Sequence, residues 1–264
     1  MPNANIHPTA IVNPEARIDP TATIGPYCMI ERDVEIGAGT TFKSHVCVYD
    51  GVKIGANCTF HAFVAIGDLP QDLAHKNQPS FVKIGDNCTF REGSTVHRGT
   101  EPGTTTVIGN KCYLMGQAHV GHNTVVGDNV MMAHGALIGG RATIGNNVFK
   151  GGLSGVHQFC RIGQFVMLAA THPQVMDVPP YMMCGSDGVT GINTVGLRRA
   201  GIDADARLEL KEAHKLLYRS GKGFRAAVDE LATRVKTQPG RELVEFLQAP
   251  SKRGIDGYRA RRKA

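Results

Sequence analysis

Leu114-Met-Gly-Gln-Ala-His-Val-Gly-His-Asn-Thr-Val-Val126 carries two superimposed patterns. Leu114, Val120 and Val126 recur at every sixth residue, and His119 and His122 interrupt otherwise small and aliphatic surroundings. Stepping outward by six gives Ile6, Val12, Ile18, Ile24, Ile30, Ile36, Phe42, Val48, Ile54, Phe60 and Ile66 toward the N-terminus. The same step gives Met132, Ile138, Ile144, Val156, Ile162 and Leu168 on the other side, with Ile84, Phe90, Val96 and Ile108 between. It fails at Asp72, Gln78, Pro102 and Lys150. Neither a helix nor a single amphipathic strand has this period. A fixed six-residue step marks a parallel β-helix. The aliphatic residue points at the coil axis. Gly, which often follows it directly (Gly25, Gly37, Gly55), and Asn and Asp are expected at corners that need positive φ. One coil cannot bury its own aliphatic residues, so stability comes from stacking coils.

Composition narrows the class. Of 264 residues 42% are hydrophobic, enough for a sizeable core. With 32 Gly and no Trp, that core is repetitive rather than built on large rings. A net charge of +6 suits an acidic or phosphorylated partner and is too weak to argue for nucleic acid. The seven Cys are odd in number, form no C-x-x-C and match no zinc spacing. They are expected to be small buried thiols in a reducing compartment. MPNANIHPTA lacks a basic segment followed by an apolar one, and no apolar run approaches the roughly 18 residues of a membrane span. The expectation is a soluble cytoplasmic protein without a membrane span.

The repeat organises the rest. Residues 68–79 and 98–106 are polar and contain Pro, so they are expected to leave the coil wall as loops, where ligand contacts concentrate. The repeat ends near residue 186, which divides the chain into a β-helix domain, 1–186, and a helical domain, 187–264. Three helices are expected there. One starts at Asp205 with Leu208, Leu216 and Leu217 and stops at Gly221. A second carries Ala226, Val228, Leu231 and Val235 and ends before Pro239. A third holds Leu243, Phe246 and Leu247. The tail beyond Pro250 is basic, with Lys252, Arg253, Arg259, Arg261, Arg262 and Lys263.

The period resembles that of the hexapeptide-repeat acyltransferases, which implies a left-handed parallel β-helix with three sides and 18 residues per coil. Residues 18 apart in the unbroken repeat then stack, with neighbouring coils roughly 4.8 Å apart. His122, Gly140 and Gln158 form one column, and Asn123, Arg141 and Phe159 the next. His119, Leu137 and Gly155 form another.

More specific stretches run end to end: Ile66-Gly-Asp-Leu-Pro-Gln-Asp-Leu73, Val96-His-Arg-Gly-Thr100, Ala118-His-Val-Gly-His122, Gly155-Val-His-Gln-Phe159, Asp177-Val-Pro-Pro-Tyr181 and Tyr218-Arg-Ser-Gly-Lys222. On these the chain is similar to the UDP-N-acetylglucosamine 3-O-acyltransferases of lipid A biosynthesis. The resemblance implies transfer of a 3-hydroxyacyl chain from acyl carrier protein to the 3-hydroxyl of UDP-N-acetylglucosamine by a homotrimer, with no cofactor and no metal. It places the general base at His122, where an imidazole with an ordinary pKa near 6.5 suits neutral pH. Gly140 N–H is placed as the oxyanion donor, and His97, His119, His157 and Gln158 as cleft residues. Gln71 and Asp72 fall on loop contacts, Asn193 and Arg199 on nucleotide contacts. Departures from the family pattern are Asn123 where an Asp orients the base, Arg141 for a cleft histidine, Ala74 for Lys, Val195 for Glu and Ala200 for Arg.

Competing readings are a sister acyltransferase with another acceptor, such as a 3-amino sugar nucleotide, or one that transfers an N-acyl chain. A hexapeptide-repeat zinc enzyme using His97, His119 and His122 is a further alternative. A basic cluster, Arg198, Arg199, Lys211, Lys215, Arg219 and Lys222, is expected to face the acidic carrier.

Overall fold

The computed structural model describes residues 5–73 and 75–257. Ala74, Arg259, Arg261, Arg262 and Lys263 lie outside them. The chain winds into a left-handed parallel β-helix whose walls are sheets of eleven, eight and eight strands. Paired strands lie 18 residues apart, as in Leu114↔Met132, Val120↔Ile138 and Val126↔Ile144. The two eight-stranded walls are parallel throughout, and the eleven-stranded wall is parallel except for its last step, where Met182–Gly185 meets Gly188–Ile192 antiparallel.

The loops obey the period. Across 68–79 the partners are Thr59↔Thr89, 30 apart, and across 98–106 they are Thr89↔Tyr113, 24 apart. The insertions remove twelve and then six residues from the coil, whole hexads, so the aliphatic positions resume in phase.

Inside the coil the sixth-position residues stack as a ladder, including Phe42, Phe60 and Phe90 with ring centroids 4.7 and 4.8 Å apart. Burying each such side chain is worth roughly 1.5–3 kcal/mol. The corner residue two places earlier is also buried and small: Ala22, Cys28, Val34, Cys58, Cys88, Cys112, Ala118, Cys160. Five cysteines thus occupy one repeat position, and all seven are free thiols.

The corners bear out part of the expectation about glycine, since Gly39, Gly93 and Gly135 have positive φ. Positive φ falls three places after the inward residue, at Asp33, Asn57, Asn87, Asn123, Asn129 and Asn147 and also at Tyr27, Phe63 and Arg141. Most glycines that directly follow the aliphatic residue are not in this region. They are needed because the next coil is too close: a Cβ on Gly37 would lie 2.6 Å from Gly55 C, and one on Gly139 2.8 Å from Gln158 N.

Lys150 does not break the coil. It occupies the inward position between Met132 and Leu168 at 2% exposure and donates to Ser154 Oγ. Burial pushes its ammonium down to about 8. The unfolded chain holds this proton up to the ordinary 10.5, so stability should climb as pH rises from about 8 toward 10.5, the full penalty applying below 8. Lys150→Met should stabilise the protein at pH 7 by on the order of 2 kcal/mol. Urea melts of both proteins between pH 7 and 10.5 check this: the difference should shrink as pH rises, and a pH-independent difference would contradict it.

Among the described residues four helices follow the coil: α1 (Thr194–Arg199), α2 (Ala204–Arg219), α3 (Phe224–Arg234) and α4 (Gln238–Gln248). Three correspond to the expected ones; α1 is additional, short and capped by Asn193. Pro239 lies within the first turn of α4, where its missing N–H has no intrahelical partner to lose, so it starts that helix rather than closing the previous one. No helix among the described residues is long and apolar enough to cross a membrane.

Candidate active site

Three histidines gather where the second loop leaves the coil. Thr95 and Val96 pair with His119 and Val120 on the next coil. The rings of His97 and His119 meet edge to face, centroids 5.0 Å apart, and His119 Nδ1 lies 2.8 Å from Thr95 Oγ1. Burial, then the neighbouring His97 and His122, push His119 down to about 4. Burial also lowers His97, against the opposing charge of Asp68. His97 and His119 are therefore neutral at pH 7, suited to hydrogen bonding rather than to acting as cations. Asp68, in register with His97, was not singled out from sequence; its place at the start of a polar loop gave no sign of that pairing.

His122 sits on the corner that follows the strand His119–Val120, not on a flat wall. Its Nδ1 lies 2.9 Å from Asn123 Oδ1. Its ring rests against Gly140 one coil away, so closely that a Cβ there would collide with Cε1 and Nε2. Gly140 occupies the coil position whose N–H stays out of the coil-to-coil ladder: Gly139 donates to Val156 O and Arg141 to His122 O. Pro8, Pro14, Pro20 and Pro26 occupy the same position in the first coils, where a missing N–H costs nothing. At another corner this N–H is capped from the next coil, as Asp86 N–H by Asn110 Oδ1 at 2.8 Å and Asp128 N–H by Asn146 Oδ1 at 2.8 Å. Among the described residues nothing takes up the Gly140 N–H. It remains available on the residue against which the His122 ring rests.

Behind His122 lies a polar cluster. Asn123 Oδ1 accepts from Thr100 N–H at 3.0 Å and Thr100 Oγ1 at 2.8 Å, and Asn123 Nδ2 donates to Glu101 Oε2 at 3.2 Å. Glu101 is ion-paired with Arg141, whose guanidinium also lies 5.8 Å from the Phe159 ring centre. Hydrogen bonds from Arg141 and then Thr100 hold the Glu101 carboxyl below the usual carboxylate range. Arg141, expected on sequence grounds in the cleft, is thus committed in large part to Glu101.

An apolar groove of about 340 Å³ starts at His119 and runs past Leu137, Gly139, Gly155, Val156 and Val175. His157, whose Nδ1 lies 3.1 Å from Gln158 O, is on its rim, and Gln158 is exposed beside it. The remaining expected residues stand apart. Gln71 is exposed on the first loop, Asp72 half-buried there, and Arg199 exposed on α1. The Asn193 side chain caps α1 through Gly196 N–H and donates to Phe165 O at 2.9 Å, so it is held structurally. No hydrogen bond or ion pair joins Gln71, Asn193 or Arg199 to His122 among the described residues. A second groove, about 380 Å³, carries Arg207, Lys211, Lys215 and Arg219 over buried His214. Arg207 and His214 were not singled out from sequence.

Among the described residues no group of three His, Cys, Asp or Glu could hold a metal ion. Comparison with known proteins bears on the rest. The family model described as "Udp N-acetylglucosamine O-acyltransferase; Domain 2" matches residues 177–255, and that of the bacterial transferase hexapeptide matches 105–140. The chain is similar to the crystal structure of UDP-N-acetylglucosamine O-acyltransferase from Moraxella catarrhalis, at 39% identity over 97% of this chain and all of that one, with a TM-score of 0.90. It is similar to LpxA from Acinetobacter baumannii at 37% identity over 95% of this chain and 99% of that one, TM-score 0.92. The UDP-N-acetylglucosamine acyltransferase of Arabidopsis matches at 28% identity over 95% of this chain and 99% of that one, TM-score 0.84. With its hexapeptide coil, its open Gly140 N–H beside His122 and these relatives along nearly its whole length, the chain belongs to the UDP-N-acetylglucosamine O-acyltransferase family.

Proposed function

We propose that the protein moves a 3-hydroxyacyl chain from the thioester of acyl carrier protein to the 3-hydroxyl of UDP-N-acetylglucosamine, the first step of lipid A biosynthesis, as a cytoplasmic homotrimer. His122 Nε2 takes the hydroxyl proton as the sugar oxygen attacks the thioester carbonyl. The oxyanion forms against the Gly140 N–H. Collapse breaks the carbon–sulfur bond, and the proton on His122 passes to the departing carrier thiol. The observation that carries this reading is the pairing of a histidine held at Nδ1 with Gly140, the residue its ring rests against, whose backbone N–H is free among the described residues. A donor aimed at a developing oxyanion is typically worth roughly 3 kcal/mol. His97, His119, His157 and Gln158 line the cleft, Gln71 and Asp72 contribute from the first loop, and Arg199 faces the nucleotide from α1, which Asn193 caps, in a site shared between neighbouring subunits. That division explains why they do not converge within one chain. The test is an acyl-transfer assay with UDP-N-acetylglucosamine, its 3-amino analogue and carrier-bound chains of several lengths. Absence of transfer to either acceptor would overturn the reading.

The groove at His119 is the place for the acyl chain. A Cβ at Gly155 meets nothing within 4 Å, so Gly155→Leu should fold normally and fill the trough. Its kcat/KM for the longest chain accepted should fall by roughly tenfold or more relative to short chains, since each buried methylene is worth about 0.8 kcal/mol. An unchanged chain-length profile would place the acyl chain elsewhere.

The helical domain, 187–264, is the carrier-facing part. Arg207, Lys211, Lys215 and Arg219 present one basic surface along α2. Reversing Lys215 and Arg219 to Glu should raise the KM for the carrier several-fold at low salt and less at high salt, because rim charges act chiefly on association. A KM unmoved at low salt would remove this surface from the docking site.

A further inference from the structure

The hydrogen bonds behind His122 determine how Asn123 is oriented. Thr100 N–H is a donor only, so the Asn123 atom facing it at 3.0 Å is the carbonyl oxygen. A carboxylate is an acceptor only, so the Asn123 atom facing Glu101 at 3.2 Å is the NH₂. His122 then meets an acceptor, Asn123 Oδ1, and must carry its proton on Nδ1, which leaves the Nε2 lone pair toward Gly140. A neutral amide can set this tautomer but supplies no charge to an imidazolium. The closest negative charge on this path is Glu101, in turn anchored by Arg141.

We propose that Glu101 is a positioning residue for the transfer reaction, supplying through Asn123 the carboxylate that orients His122 and offsets its charge in the transition state. The carboxylate behind the base sits one residue further out here than in an Asp–His pair. Arg141 fixes it there, so its guanidinium belongs to this relay. The inference rests on the reading of His122 as general base.

An Asp in place of Asn123 puts two carboxylates at the 3.2 Å separation of Asn123 Nδ2 and Glu101 Oε2, and replaces the acceptor of Thr100 N–H by one that is repelled by its neighbour. Asn123→Asp should therefore be harmful alone and beneficial only when Glu101 is neutral.

The experiment is a double-mutant cycle in the acyl-transfer assay. Glu101→Gln and Asn123→Asp should each lower kcat by roughly tenfold, the scale for losing a partner that orients a histidine, with KM for both substrates within about twofold. The double variant, Asn123→Asp with Glu101→Gln, should return to within about threefold of the parent kcat. A purely structural Glu101 predicts that the two losses add. Additive losses, or a Glu101→Gln enzyme with unaltered kcat, overturn the inference. His122→Ala, assayed alongside, separates the two levels. If it retains turnover, the base assignment fails; if it is inactive while the pair is additive, only the role of Glu101 fails.

Discussion

His122→Ala should lose roughly 10²- to 10⁴-fold in kcat, the range for a positioned general base, while remaining folded. The side chain lies on the outside of a corner, and the coil beneath it is held by Val120, Thr124 and Val126, all buried. Among the described residues the ring's only hydrogen bond is to Asn123 Oδ1, which keeps two donors from Thr100 when the ring is removed. Removing it thus orphans no buried polar group, and surface changes of that kind usually stay within about 0.5 kcal/mol. The informative comparison is with His119→Ala and His97→Ala. Both rings are buried enough to be neutral at pH 7, and His97 is 7% exposed against the wall. Losing either should weaken binding more than turnover. Near-normal transfer by His122→Ala with loss in His119→Ala would move the base to the neighbouring column and remove the role given to Gly140.

Most of the architecture was legible because one residue in six must face the axis, and that constraint repeats down the coil. Even the loops kept it, since both insertions are whole hexads. Lys150 looked like a break only because a hydropathy pattern has no place for a long amine whose stem packs and whose end donates to Ser154. The glycines fall into two groups for a related reason: period alone does not distinguish those at positive φ, such as Gly39 and Gly135, from those forced by an adjacent coil, such as Gly37 and Gly139. The columns His122–Gly140–Gln158 and His119–Leu137–Gly155 followed from the 18-residue register and are in place. What the sequence could not reveal is lateral contact. Glu101 lies on a polar, Pro-containing loop with no periodicity, and nothing in Arg-Gly-Thr-Glu-Pro indicates that it would turn back onto Asn123 and Arg141. The helix α1 escaped notice because its six residues, Thr194–Arg199, offer only Leu197 to the core.

Gly140→Ala tests the geometry rather than the chemistry of the base. The backbone at Gly140 is not in the left-handed region, so Ala is not strained there by φ. The three atoms nearest the added methyl are Cε1, Nε2 and Cδ2 of His122, the last at 2.9 Å. A ring on a side chain can move aside; a neighbouring backbone cannot, which is the situation at Gly139. Gly140→Ala should therefore fold, with a melting temperature within a few degrees of the parent, and lose roughly 10²- to 10³-fold in kcat. That is the scale of removing one oxyanion donor, here because the base is pushed off the line joining Nε2 to the Gly140 N–H. Gly155→Ala is the control, since its methyl meets only open space in the apolar groove and should leave kcat intact with a short acyl chain. The double variant His122→Ala/Gly140→Ala carries the argument further. With the imidazole gone the methyl has room, so the second change should cost little beyond His122→Ala alone, well short of the product of the two losses. Full multiplicativity would show that the methyl acts on something other than the ring. A Gly140→Ala enzyme with parental kcat would mean that His122 does not work from the position it holds against Gly140.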